Sequence, residues 1–180
     1  MNKPKVLYIM CGPAGSGKST YITRTIIAED NLFCAHVSRD LIRFTMLKDG
    51  DDYFKYEDLV YKKFISELQE TLKSDIYDCV FADATHLTAK SRTKLLDDIF
   101  EDKEIDQSDV SIVPAFLDVD TKTCIERNAP RTGRRKVPEN VIIRMNDQKE
   151  FPKYDENEYV YQTILRIDAF GNELYFDRED

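Results

Sequence analysis

The feature that most constrains the fold of this chain is an abrupt change of sequence pattern between residues 6 and 26, from apolar to glycine-rich and then to helical. An apolar run from Lys5 to Cys11 is typical of a buried β-strand, because it is short, continuous and rich in aliphatic residues. Three glycines and a proline follow, and then Lys18 and two hydroxyl side chains open a helical pattern. The sequence therefore predicts a strand, a tight turn and a helix in immediate succession.

The turn between this strand and this helix matches the pattern G-x-x-x-x-G-K-[ST], the P-loop. Glycines let such a loop turn its N–H groups inward, where they bind phosphate together with the helix N-terminus. Lys18 is expected to contact the β- and γ-phosphates of a nucleotide, and the Ser19 hydroxyl to bind Mg²⁺. The predicted nucleotide-binding residues are Gly12, Pro13, Ala14, Gly15, Ser16, Gly17, Lys18, Ser19 and Thr20.

Composition places the chain among ordinary folded proteins. It has 180 residues, of which 42% are hydrophobic and 33% are charged. No apolar run approaches the roughly 20 residues that span a bilayer, and no leader-type segment precedes the first strand. We therefore expect a cytoplasmic protein with no membrane partner.

Net charge and cysteine content limit the ligands and cross-links that we expect for this chain. A net charge of -8 opposes broad nucleic-acid binding, although it leaves room for a short basic channel. The four cysteines include no Cys-x-x-Cys pair, and three of them sit in apolar runs. We therefore predict neither a disulfide framework nor a zinc site.

Strand-like and helical segments alternate along the chain, which predicts a parallel sheet covered by helices on both faces. The predicted strands are Lys5–Cys11, Phe33–Val37, Tyr77–Ala82, Val110–Leu117 and Val160–Ile167, the last followed by a turn at Gly171-Asn172 and a short hairpin. The predicted helices are Ser19–Ala28, Tyr56–Leu72, one containing Leu95, Leu96, Ile99 and Phe100 with Thr88 as its N-cap, and one from Pro138 to about Glu150. We expect one α/β domain over residues 1–180, a P-loop NTPase three-layer sandwich with a mainly parallel central sheet, a lid at about 127–138 and a C-terminal strand or hairpin at about 158–177.

The second predicted strand is followed by Ser38-Arg39-Asp40 and then by Arg43. Ligands of a parallel sheet gather at the carboxyl ends of its strands, so Asp40 is expected near the γ-phosphate, where it could accept a proton from an attacking hydroxyl. Arg43, about one helical turn further, could hold a phosphate of the acceptor. The alternative is that Asp40 caps a helix while Arg39 and Arg43 lie on a solvated face.

The third predicted strand ends in V-F-A-D-A-T-H. Its Asp83 occupies the place where P-loop enzymes carry the carboxylate that holds Mg²⁺ or its water. Asp83 and Thr85 could instead cap a turn, and His86 could line the site or lie on the surface. Ser19 and Asp83 are the predicted metal ligands, and the predicted substrate-binding residues are Arg39, Arg43, Asp83 and His86.

The stretch E-R-N-A-P-R-T-G-R-R-K-V-P is strongly basic. So many like charges repel one another unless an anionic partner is bound, which favours a lid that folds over phosphates. Arg127 and Arg131 are the candidates for phosphate contact. The alternative is a solvated charged face.

Taken in order, G-P-A-G-S-G-K-S-T, S-R-D-L-I-R, D-A-T-H and R-N-A-P-R-T-G-R-R-K-V-P resemble the kinase module of phage-type polynucleotide 5′-kinases and related P-loop kinases. The resemblance covers roughly Val6 to Phe151, and its R-D-x-x-R and R-N-x-x-R elements are far more specific than the P-loop. Members of that family usually carry Asn where this chain has His86.

The resemblance implies transfer of the γ-phosphate of ATP, with Mg²⁺, to the 5′-hydroxyl of DNA or RNA. It implies that Asp40 is the general base and that Arg43 binds the acceptor phosphate. The residues that it implies for stabilising the transferred phosphoryl group are Lys18, Ser19 and Arg131. Two alternatives stay open, namely a kinase of a small hydroxyl compound such as a sugar, nucleoside or antibiotic, and an ATPase or nucleotide-dependent interaction protein that transfers nothing.

Overall fold

A computed structural model of the chain describes residues 4–177, so residues 1–3 and 178–180 of the predicted domain lie outside the described residues. The strands are β1 Lys5–Cys11, β2 Cys34–Ser38, β3 Cys79–Asp83, β4 Val110–Leu117, β5 Thr163–Ile167 and β6 Glu173–Asp177. The α-helices are α1 Lys18–Ala28, α2 Arg39–Met46, α3 Glu57–Lys73, α4 Ala89–Phe100, α5 Thr121–Asn128 and α6 Glu139–Gln148. Across residues 4–177, no helix is long and apolar enough to cross a membrane.

The strands form one sheet in the order β2-β3-β1-β4-β5-β6. Strands β1 to β5 run parallel, and β6 pairs antiparallel with β5. This arrangement confirms the predicted mainly parallel sheet and the C-terminal hairpin, whose turn contains Gly171 at φ +84°. The strand predicted from Val160 begins instead at Thr163, because Tyr161 makes only an isolated bridge to Ile112.

Helices cover both faces of the sheet and bury two apolar clusters. On one face, Leu7 and Ile9 of β1 pack with apolar residues of α3 and α4, such as Phe64 and Leu95. On the other face, Met10 packs in a cluster with apolar residues of α1, α5 and α6. Alternate residues of the same strand thus face opposite layers, as expected for a strand buried on both sides.

Local capping fixes where two helices begin. Ser38 is the N-cap of α2, and its hydroxyl accepts a hydrogen bond from the Leu41 N–H (3.4 Å). The alternative that Asp40 caps this helix is therefore wrong. Thr88 caps α4 as predicted, in a reciprocal capping box with Ser91.

The expectation that the cysteines form no disulfide is wrong for one pair. Cys34 and Cys79 face each other as the first residues of β2 and β3, and their sulfurs are bonded. Their separation of 45 residues gives no hint of this pairing, which results from the register of two neighbouring parallel strands. Cys11 and Cys124 are free and buried.

Candidate active site

The loop between β1 and α1 needs glycine at particular positions. A Cβ on Gly15, which has φ +82°, would lie 2.2 Å from the Cys124 carbonyl oxygen of α5. Gly17 caps α1 in the left-handed conformation at φ +102°, where a side chain would be strained. The Gly12 N–H donates to the Thr85 carbonyl (2.8 Å), which joins this loop to the turn after β3. The loop is therefore fixed from both sides in the P-loop form predicted from the sequence.

Lys18 lies folded over the P-loop. Its Nζ donates to the carbonyl oxygens of Gly12 (2.9 Å) and Pro13 (3.0 Å). Burial lowers the pKa of the Lys18 ammonium, and the carboxylates of Asp83 and Asp40 oppose this effect. The Lys18 ammonium is thus held over the loop by two neutral carbonyl oxygens that an anionic ligand could replace.

Ser16 provides a second sign that the loop is built for a ligand. Its hydroxyl oxygen is buried and has no hydrogen-bond partner within residues 4–177. Buried polar atoms are rarely left unpaired, so such an atom in a glycine-rich loop fits an anionic ligand that completes the site.

Asp83, at the end of β3, receives two hydrogen bonds. Its Oδ2 accepts from the Ser19 hydroxyl (3.3 Å) and lies 2.8 Å from Nε2 of His36 on β2. A hydroxyl and a carboxylate oxygen are hard ligands of the kind that Mg²⁺ prefers, so Ser19 and Asp83 fit the predicted metal site. The sequence argument did not assign His36 to this group, because its contact with Asp83 depends on the pairing of β2 with β3.

Asp40 and Arg43 form a polar pair on the first turns of α2. The Asp40 side chain is 63% exposed, and its Oδ1 accepts from the Tyr53 hydroxyl (2.8 Å) and from Nη1 of Arg43. The Arg43 side chain is only 5% exposed, and its Nη2 donates to Glu57 (2.7 Å). Arg43 therefore does not lie on a solvated face, and its Nε is buried without a partner in the described part of the chain.

Glu57, at the start of α3, holds both predicted acceptor arginines. Its two carboxylate oxygens accept from Arg39 and Arg43, and the Arg39 guanidinium also lies over the Tyr61 ring, 4.9 Å from its centre. Burial works against the charge of Arg43, but the hydrogen bond to Glu57 and the nearby charges of Glu57 and Asp40, with Tyr53, together outweigh it and raise the pKa of the guanidinium. The pair is therefore pre-positioned as permanent cations.

The two arginines of the predicted lid that were assigned to phosphate have different surroundings. Arg127 donates to the carbonyl oxygens of Ser16 (3.1 Å) and Ala169, so it bridges the P-loop and the β5–β6 turn. Arg131 is exposed, and its guanidinium makes no hydrogen bond or ion pair with residues 4–177. Its charge contributes to the lowered pKa of Lys18, after burial, so the two cations lie near enough to repel each other.

Asn128 closes the base of the predicted lid. Its side-chain amide donates to the Val137 carbonyl (2.7 Å) and accepts from the Val137 N–H (3.0 Å). At the far side of this closed loop, Arg134 donates to the carbonyl oxygens of Leu47 (3.5 Å) and Lys48, just after α2. The basic segment thus forms a loop that reaches from α5 to the residues that follow α2.

His86 lies in the turn between β3 and α4 and is buried. It has φ +37°, its ring is buried beside Phe64, and its Nε2 has no partner among the described residues. Burial lowers the pKa of the imidazole to about 3, and the charge of Arg39 acts in the same direction. His86 is therefore neutral at physiological pH and can offer a hydrogen bond but no positive charge.

A buried ion pair that the sequence argument missed supports the turn containing His86. Arg92 of α4 is fully buried and donates to the carbonyl oxygens of His86 (3.1 Å) and Glu150 (3.2 Å). It also makes a two-pronged ion pair with Glu156 (2.6 and 2.7 Å). The partners are 64 residues apart, so no local pattern could have revealed the pair.

Residues 7–152, which include the P-loop and the predicted lid, match the AAA domain family. The chain belongs to this family. No curated protein matches the sequence. The match runs from within β1 to just beyond α6, so the P-loop, Arg39, Arg43 and the predicted lid all lie within the AAA domain.

Solved structures with the same fold include several kinases. A chain of the Pnkp1/Rnl/Hen1 RNA repair complex is 23% identical with a TM-score of 0.66, over 82% of this AAA domain chain and 45% of that chain. A fungal RNA kinase is 12% identical with a TM-score of 0.59, over 98% and 76% of the two chains. A sugar kinase from Janibacter sp. HTCC2649 is 18% identical with a TM-score of 0.54, over 93% and 86%. The AAA domain described here therefore has a P-loop kinase fold, and it spans less than half of the RNA repair chain.

Proposed function

We propose that this AAA domain is an ATP- and Mg²⁺-dependent polynucleotide kinase that phosphorylates the 5′-hydroxyl of DNA or RNA. One observation carries the proposal: an exposed carboxylate, Asp40, lies beside a buried arginine, Arg43, that has an unpaired Nε. A hydrolase needs only a positioned water, whereas this pair supplies both a base and an anion-binding group for an acceptor. The fungal RNA kinase and the RNA repair chain with the same fold support this choice of acceptor.

In the proposed reaction, Asp40 takes the proton of the acceptor 5′-hydroxyl as its oxygen attacks the γ-phosphorus of ATP. A bond forms between that oxygen and phosphorus, the bond from phosphorus to the β–γ bridging oxygen breaks, and ADP leaves. Tyr53 and Arg43 both donate to Oδ1 of Asp40, which leaves Oδ2 for the acceptor. Arg43 would hold the phosphate on the 3′ side of the terminal nucleotide, with Arg39 beside it.

The part of the site around the P-loop would bind the phosphoryl group that is transferred from ATP. Lys18 would exchange its carbonyl partners for the β- and γ-phosphates, and Arg131 would approach the same charge from the predicted lid. Ser19 and Asp83 would hold Mg²⁺, which when bound neutralises charge on the β- and γ-phosphates. Asp83 is in turn oriented by His36.

The test is a transfer assay with γ-labelled ATP, Mg²⁺ and a single-stranded oligonucleotide that has a 5′-hydroxyl, beside a 5′-phosphorylated control. We expect label on the first oligonucleotide alone. Substitution Asp40→Asn should lower this transfer by about 10²-fold or more and spare ATP binding, because only the proton acceptor is lost. Asp30→Asn, on an exposed loop at the other end of β2, is the matched control.

Two results would contradict this assignment. Transfer by Asp40→Asn at the wild-type rate would rule out Asp40 as the base. Label released only as free phosphate would identify an ATPase that transfers nothing.

A kinase of a small hydroxyl compound is the second candidate. It is favoured by the sugar kinase whose fold matches over 86% of its own length, and by the net charge of -8, which suits a polyanionic acceptor less well. The same assay with sugars and nucleosides as acceptors separates the two. Label on one of these but not on the oligonucleotide would select the second candidate.

A further inference from the structure

A cleft lies between the end of α2 and the predicted lid. Its volume is about 560 Å³, and its lining residues are Phe44, Asp49, Thr132, Arg134 and Arg135. Phe44 follows Asp40 by four residues on α2, so the two lie on the same face of the helix and about 6 Å apart along its axis. The cleft therefore begins about one helical turn beyond Asp40, on the same face of α2.

The two sides of the cleft carry different chemistry. On the α2 side, the Phe44 ring is half-buried and meets Tyr53 edge-on, with ring centres 6.4 Å apart. On the lid side, Arg134 is fixed by the carbonyl oxygens of Leu47 and Lys48. Arg135 is exposed and makes no hydrogen bond or ion pair with the part of the chain that the structure describes. An aromatic ring and an unpaired guanidinium in one cleft are the combination that binds single-stranded nucleic acid, by base stacking and phosphate contact.

We propose that this cleft binds the second nucleotide of a single-stranded acceptor, with its base against Phe44 and its 3′-side phosphate at Arg135. The proposal rests on the proposed function, since it extends the path of the strand that begins at Asp40. Asp49 also lines the cleft and would repel phosphate, but it comes from the α2 side, whereas Arg135 comes from the lid. A short basic subsite of this kind also lets a chain of net charge -8 bind a polyanion locally.

The test compares two acceptors in the same assay: a nucleoside 3′-phosphate, which ends at the Arg43 position, and a trinucleotide with a 5′-hydroxyl. The measured quantity is the ratio of kcat/KM for the trinucleotide to kcat/KM for the nucleoside 3′-phosphate. Because stacking of one base contributes a factor of about ten or more, Phe44→Ala should lower this ratio about tenfold. Arg135→Gln should lower it by a similar factor and should weaken its dependence on salt.

Matched controls are Phe33→Ala, at an exposed phenylalanine before β2, and Arg144→Gln, at an exposed arginine of α6; both should keep the wild-type ratio. Because the ratio compares two acceptors on one protein sample, partial unfolding of a variant cancels. A ratio that neither Phe44→Ala nor Arg135→Gln changes would overturn the subsite, as would equal losses on both acceptors. If the wild type phosphorylates neither acceptor, the proposed function itself fails and the subsite fails with it.

Discussion

At the scale of single residues, His86 combines a backbone conformation that few side chains adopt with a buried, neutral ring. A positive φ is uncommon outside glycine but is several-fold more frequent for Asn, Asp and His. The turn after β3 therefore restricts position 86 to a short list of residues, and Asn is one of them. Because the pKa of His86 falls to about 3 in the folded chain, this residue also links folding to pH.

We predict that His86→Asn makes the protein less sensitive to acid. The folded state keeps the imidazole neutral, whereas the unfolded state binds a proton below its ordinary pKa of 6.5. The wild type therefore loses stability as the pH falls from 6.5 toward 3, by about 2 kcal/mol at pH 5 from this group alone. Urea unfolding of both proteins at pH 7 and pH 5 measures the difference, and equal losses in the two would show that His86 does not titrate in this way.

At the scale of secondary-structure elements, the Arg92–Glu156 pair joins α4, the turn after β3 and the segment that follows α6. A buried ion pair is weak evidence of net stability, but removing one partner leaves the other charge buried without compensation. The Tyr161 hydroxyl also donates to Glu156 (2.8 Å), so the carboxylate is held by more than one element.

We predict that Arg92→Met lowers the free energy of unfolding by about 3–5 kcal/mol. The double variant Arg92→Met with Glu156→Gln should lose less than the sum of the two single variants, since it removes both charges. Chemical denaturation of the four proteins in this cycle gives the coupling between the partners. Additivity within about 0.5 kcal/mol would mean that the pair is not coupled as described.

Whether the sequence could predict a feature depended on how far apart along the chain the residues that form it lie. The P-loop, the Thr88 cap and the central strands depend on residues a few positions apart, so the sequence could predict them. The Arg92–Glu156 pair, the Asp83–His36 contact and the closure of the predicted lid by Asn128 depend on how separate elements meet. The sequence grouped Arg39, Asp40 and Arg43 as a predicted acceptor site, whereas Glu57, which holds the two arginines, became visible only through the packing of α3 against α2.

At the scale of the whole molecule, the Cys34–Cys79 bond ties the edge strand β2 to β3 at the amino ends of both strands. The candidate active site lies at the carboxyl ends of these two strands, so the bond is at the opposite end of both strands. A cross-link between residues 45 apart removes conformational freedom from the unfolded chain. The bond should therefore affect the free energy of unfolding.

We predict that reduction of this bond lowers the free energy of unfolding by up to about 4 kcal/mol, by the loop-closure relation for the intervening chain. Thermal unfolding with and without a reducing agent measures this as a lower Tm. The double variant Cys34→Ala with Cys79→Ala should show no response to the reducing agent. An identical Tm for the wild type in both conditions would mean that the bond contributes nothing to folding.

The contact between Gly15 and the Cys124 carbonyl has a consequence for how the molecule can move. Because no methyl group would fit between the P-loop and α5, and Arg127 also binds the loop, the two should behave as one rigid unit. The Asn128–Val137 pair adds the base of the predicted lid to that unit. The hydrogen bonds from Arg134 to Leu47 and Lys48 join the far end of the predicted lid to the segment after α2. We therefore expect ligands to enter and leave beside α2 when these bonds break, while the P-loop keeps its shape.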